Sequence, residues 1–150
     1  MTLVAMTAAP MTQPSVRRVL IADDRARTRR ALRALLATDA AFELIGEAAD
    51  GEEALAAVER LRPDVVILDI RMPRLDGITA TTQIKARWPW IRVVAHSLAD
   101  ELRADALAAG ADAFVPKGAT VRELFDALWP PSCERADQPD ADASHPSQYS

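Results

Sequence analysis

The sequence predicts an α/β fold, a doubly wound parallel sheet with helices on both faces, and three observations predict it. Five short apolar runs alternate with five segments of helical periodicity between residues 17 and 129. The central run, "VVIL", is continuously apolar, as a strand covered on both faces must be. The carboxyl ends of the runs also collect polar residues, and in open parallel sheets ligands bind outside those ends.

Taken in order, "RRVLIADD" (17–24) is a β-branched run ending in two acids, and "ARTRRALRALLA" (26–37) is a helix with Leu32, Leu35 and Leu36 on one side. The arginines at 25, 27, 29, 30 and 33 form a solvated face that could dock a partner. "FELIGEA" (42–48) is the second strand. "DGEEALAAVERL" (50–61) is a helix whose Asp50 and Glu53 stand at capping-box spacing. "DVVILD" (64–69) is the third strand. "GITATTQIKARW" (77–88) is a helix stopped by Pro89, and "IRVVAHS" (91–97) the fourth strand, in which His96 is a packed histidine. "DELRADALAAG" (100–110) is a helix ended by Gly110. "DAFVPK" (112–117) is the fifth strand, and "TVRELFDALW" (120–129) the last helix, halted by Pro130 and Pro131. Residues 1–15 are expected to be a disordered leader, 16–130 the folded domain, and 131–150 a disordered polar tail.

At 150 residues, 49% hydrophobic and 27% charged, the chain is expected to form one soluble domain. A net charge of −4 and a pI near 5.2 argue against phosphate-backbone recognition, so no direct DNA binding is expected. The single cysteine, Cys133, excludes an internal disulfide framework and suits a reducing cytosol. The leader lacks the basic start of a signal peptide, and no apolar run approaches the roughly 20 residues of a membrane span. The expected location is cytoplasmic.

The strand ends give a candidate site: Asp23 and Asp24, Asp69, Ser97 and Lys117. Three carboxylates held together repel and need a counter-charge. A hard divalent cation with oxygen ligands, such as magnesium, supplies one. Of 18 basic residues only Lys85 and Lys117 are lysines, so a lysine at this rim favours a role for a point charge. Together these groups suit phosphoryl transfer.

"VLIADD", "EAADGEEAL", "DVVILDIRMPRLDG" and "ALAAGADAFVPKGA" resemble the receiver domain of bacterial two-component response regulators, with wording most similar to the NarL/FixJ type. The resemblance runs from about Val16 to Trp129. It implies a flavodoxin-like five-stranded sheet in the order 2-1-3-4-5. It further implies that Asp69 is the phosphoacceptor for a sensor histidine kinase or phosphotransfer protein. Asp23, Asp24 and the Arg71 backbone carbonyl would join Asp69 in holding Mg2+, and Lys117 would bind the phosphoryl group. Ser97 resembles the switch hydroxyl and Phe114 the switch aromatic. The face formed by residues 100–129 would bind a downstream protein or a second copy of the chain.

The chain departs from that family in two ways. From Ser97 to Gly110 it is about two residues shorter, and an ungapped count from Lys117 puts Ala95 at the switch position. Ser97 is preferred because alanine cannot donate a hydrogen bond. Only about 20 polar residues follow Trp129, too few for a helix-turn-helix output domain, so the expectation is a stand-alone receiver or a remnant of a longer regulator. Such a chain would be a self-modifying acceptor with intrinsic dephosphorylation rather than an enzyme. The alternatives are a pseudo-receiver scaffold and, less favoured, a small-molecule aspartyl phosphatase. Phosphatases of the haloacid dehalogenase type need a second acid two residues after the nucleophile, where this chain has Arg71.

Overall fold

Five strands pair in parallel in the order β2-β1-β3-β4-β5 in the computed structural model, which describes residues 16–131. They are β1 (Arg17–Ala22), β2 (Phe42–Ala48), β3 (Val65–Leu68), β4 (Arg92–Ser97) and β5 (Ala113–Pro116). The helices are α1 (Ala26–Leu36), α2 (Gly51–Leu61), α3 (Gly77–Arg87), α4 (Arg103–Ala108) and α5 (Val121–Leu128). The doubly wound sheet and its 2-1-3-4-5 order are therefore as expected. The expected leader and nearly all of the expected tail, with Cys133, lie outside the described residues.

Alternation along each strand builds two cores from one sheet. Leu20, Ala22, Val66, Leu68, Val93, Ala95 and Phe114 point to one side, where Ala54, Ala57 and Val58 of α2, Ala80 and Ile84 of α3 and Ala106 of α4 cover them. Val19, Ile21, Val65, Ile67, Val94 and Val115 point to the other, against Leu32 and Leu36 of α1 and Leu124 and Leu128 of α5. Every residue of β3 is buried, which explains its unbroken apolar run.

Helix starts follow local chemistry. Asp50 caps α2 by accepting the Glu53 amide at 2.9 Å, but the Glu53 carboxylate reaches the Ala49 amide at 2.8 Å, one residue earlier than a closed capping box requires. The closed box belongs to α5, where Thr120 and Glu123 each accept the other's amide. Arginines finish helices at the opposite end of the sheet. Arg92 donates to the Ala127 carbonyl at 2.6 Å, and Arg18 to the Leu61 and Arg62 carbonyls at 2.7 and 2.6 Å.

The expected helix over 100–110 is shorter and broken. Residues 100–102 form a 3-10 turn and α4 occupies only 103–108. The Ser97 hydroxyl accepts the Ala99 amide at 3.0 Å, and Leu102 donates back to Ala99 at 2.9 Å. These short-range bonds wind the chain tightly as it leaves β4, before an α-turn can start. Gly110, at φ +112°, follows the end of α4 as its left-handed terminator.

Candidate functional site

The site lies at the carboxyl ends of β1, β3, β4 and β5. The strand ladder continues one residue past three of these ends and so fixes the site backbone. Asp23 donates to Ala48 at 3.0 Å, Asp69 to Ala22 at 2.9 Å, and Lys117 to Ser97 at 3.0 Å. These residues cannot shift without breaking the sheet, so the functional groups are preorganised.

One carboxylate oxygen from each of Asp23, Asp24 and Asp69 lies within 4.8 Å of the other two. Asp23 and Asp69 are buried, whereas Asp24 is exposed. Lys117 Nζ is 2.8 Å from Asp23 Oδ2 and 3.5 Å from Asp69 Oδ2. One lysine thus faces two buried acids and leaves a net negative charge. The Asp23 Oδ1 atom accepts the Arg25 amide at 2.8 Å. Its Oδ2 atom is buried and makes no aligned hydrogen bond, so Lys117 meets it as an ion-pair partner only.

Burial pushes the Asp69 carboxyl up to about 6, and the Asp23 charge adds to the rise, while Lys117 and the Arg71 amide oppose it. This acid is under-compensated by the protein alone. The donor set fits a hard divalent cation: three hard oxygen ligands, an exposed Asp24 open to water, and a buried Asp23 oxygen lacking a hydrogen bond.

A pocket of about 220 Å3 opens above these groups, lined among others by Asp24, Asp69, Arg71, Ser97 and Lys117. The structure thus brings together all the candidate residues except Phe114. Phe114 pairs in register with Ala95 and packs into the core on the α4 side, with the Arg103 guanidinium 4.7 Å above its ring. Ala95 is wholly buried in that same core.

Several side-chain contacts around the site were not legible in the sequence. Arg71 bridges the pocket mouth to Glu101 at 2.9 Å. Arg29 donates to the Asp23 carbonyl at 2.7 Å and, with Arg33, pairs with Glu47, so part of the expected solvated arginine face is spent on the protein itself. His96 is buried behind Lys117 on the α1–α5 side, where burial first and the Lys117 charge second push its imidazole down to about 4. Arg71 meets Glu101 across 30 positions and Arg33 meets Glu47 across 14, while Arg29 reaches back six residues to the Asp23 carbonyl, and no motif spacing announces these contacts.

The chain matches the family model described as the response regulator receiver domain over residues 19–129, and it belongs to that family. It is a receiver domain of the two-component response regulators. A protein-glutamate methylesterase/protein-glutamine glutaminase of Alkalilimnicola ehrlichii is 43% identical over 103 residues, covering 67% of this chain and 26% of that protein. The response regulator protein VraR of Staphylococcus aureus is 35% identical over 113 residues, covering 74% of this chain and 54% of that protein. The chain therefore spans between about a quarter and about half the length of these two relatives. Among solved structures, the CheX-CheY-BeF3-Mg2+ complex from Borrelia burgdorferi is similar with a TM-score of 0.69 and 33% identity, over 75% of this chain and 86% of that one. No helix among the described residues is long and apolar enough to cross a membrane.

Proposed function

We propose that this receiver domain accepts a phosphoryl group on Asp69 from a phosphohistidine of a sensor kinase or phosphotransfer protein. The observation that carries this reading is the convergence of three carboxylates and Lys117 beneath an open pocket, with Asp69 at a fully buried strand end. An Asp69 carboxylate oxygen attacks phosphorus, forming an O–P bond as the P–N bond breaks, and the electron pair returns to the histidine nitrogen. The product is an acyl phosphate. Asp23, Asp24, Asp69 and the Arg71 carbonyl would hold Mg2+, which supplies neutralisation of the charge on the phosphoryl oxygens. Lys117 is within reach to hold one of those oxygens once Asp69 is modified.

The Ser97 hydroxyl shares the pocket with Asp69, and its oxygen accepts the Ala99 amide, which leaves its hydrogen to donate to a phosphoryl oxygen. That donation would draw the short segment after β4 inwards and shift α4, β5 and α5, with Phe114 repacking beneath Arg103. The 100–129 face would then meet a downstream protein or a second copy of the chain. The folded unit is residues 16–130, acting in the cytoplasm and binding no DNA itself. Receiver domains are generally non-enzymatic, and here self-modification and slow hydrolysis of the acyl phosphate are the only chemistry required. A labelled phosphohistidine donor tests the reading. Label should pass to the chain with Mg2+ and not in excess chelator, and equal transfer in both would reject it.

A further inference from the structure

The loop between β3 and α3 carries Arg71 and is held in a conformation that its residues do not favour. Arg74 has φ +66°, in the left-handed region that suits glycine. The Leu75 amide donates to the Pro73 carbonyl at 2.7 Å across it, which makes a γ-turn. A non-glycine residue stays in such a turn only when its surroundings impose it.

Two sets of contacts impose it here. Arg74 Nε donates to Asp50 Oδ2 at 2.8 Å, and the Asp50 side chain is 5% exposed. The other oxygen of Asp50 caps α2 and is therefore fixed in direction. Beside it, the Leu75 carbonyl sits so close to Gly51 that a Cβ there would stand 2.0 Å from the oxygen. At the far end the Gly77 amide closes the loop onto the Ile70 carbonyl at 2.8 Å. A Cβ on Gly77 would stand 2.2 Å from the Asp69 carbonyl oxygen. The loop is thus clamped between the start of α2 and the backbone of the acceptor, while Arg71 lines the acidic pocket and its amide reaches the Asp69 carboxylate.

We propose that Arg74 and Asp50 form a latch that fixes the β3–α3 loop and thereby sets the affinity of the acidic pocket for a divalent cation. Neither residue belongs to the acidic cluster. Both are positioning residues, acting through the loop that carries Arg71. The proposal rests on the metal-assisted reading above and adds to it a control point outside the acidic cluster.

The test uses the full chain with Asp50→Asn, Arg74→Ala and the double variant. Asparagine is as good a helix cap as aspartate, so Asp50→Asn removes the charge and leaves α2 capped. Two quantities are measured: Mg2+ affinity by calorimetry, and backbone hydrogen exchange of residues 71–77 in metal-free protein. Each single variant should bind Mg2+ roughly ten-fold more weakly, the usual effect of losing a residue that supports metal ligands. Exchange at Gly77 should be faster in each, and the double variant should lose no more than either single one. Wild-type Mg2+ binding that both variants keep within about twofold, or unchanged Gly77 exchange, would overturn the latch while leaving the phosphoacceptor reading intact. A wild-type chain that binds no Mg2+ would overturn both.

Discussion

Burial shifts Asp69 and His96 in opposite directions, because it disfavours the charged form of each, an anion in one and a cation in the other. The Asp69 carboxyl, pushed from 3.8 up to about 6, is protonated in folded and unfolded chains alike at low pH. As pH rises through the window between those values, the unfolded chain ionises first and folding loses stability, by roughly 3 kcal/mol in all. The His96 imidazole, pushed from 6.5 down to about 4, is neutral in both states above that window. As pH falls through it, the unfolded chain takes up the proton first and stability is again lost, by roughly 3 kcal/mol. Between about pH 4 and 6 the two slopes oppose each other. In chelator, urea unfolding of the wild type should therefore vary little over this range, whereas Asp69→Asn should gain stability with pH, leaving it more stable than the wild type at neutral pH. Parallel pH profiles for the two proteins would show that Asp69 is not the strained acid. The sequence disclosed Asp69 itself, because an acid ending a buried strand is conspicuous. It did not disclose that His96 lies behind the same lysine, since a histidine in a strand carries no mark of what it faces.

At the scale of elements, the site depends on close approach of backbones as much as on side chains. Gly77 opens α3 directly against the Asp69 carbonyl, so Gly77→Ala must displace either the helix or the acceptor. It should cost about 2 kcal/mol and slow phosphorylation, measured by denaturant midpoint and by label uptake. Thr120→Ala breaks the closed capping box of α5 and should cost about 1 kcal/mol with no change in phosphoryl uptake. A Gly77→Ala protein as stable and as reactive as the wild type would refute the packing argument. The element boundaries at strands were legible because continuous apolar runs end abruptly at Asp23, Asp69 and Lys117. The helix after β4 was not: the periodicity of 100–110 fits a helix, but hydrogen bonds from Ala99 to the Ser97 hydroxyl and from Leu102 to Ala99 impose a tighter turn first. Asp50 was legible as a cap, yet its second bond to Arg74 depends on a residue 24 positions away.

Across the whole molecule, one sheet covered on both faces brings residues from four strand ends to one rim, and that arrangement followed from counting alternating segments. What it accumulates there is negative charge that a single lysine only partly offsets. A cation binding that rim should stabilise the entire fold, by about 2.7 kcal/mol at a Mg2+ concentration one hundred times its dissociation constant. The rise in thermal midpoint should be reversed by chelator and be much smaller in Asp24→Asn, whose acid is the exposed member of the cluster. An equal rise in both proteins would mean that Mg2+ acts elsewhere.

The most direct test of the account is intact-mass measurement after incubation with acetyl phosphate and Mg2+. The wild-type chain should gain the mass of one phosphoryl group and lose it on standing, while Asp69→Asn should remain unmodified. Equal modification of the two proteins would contradict the assignment of Asp69.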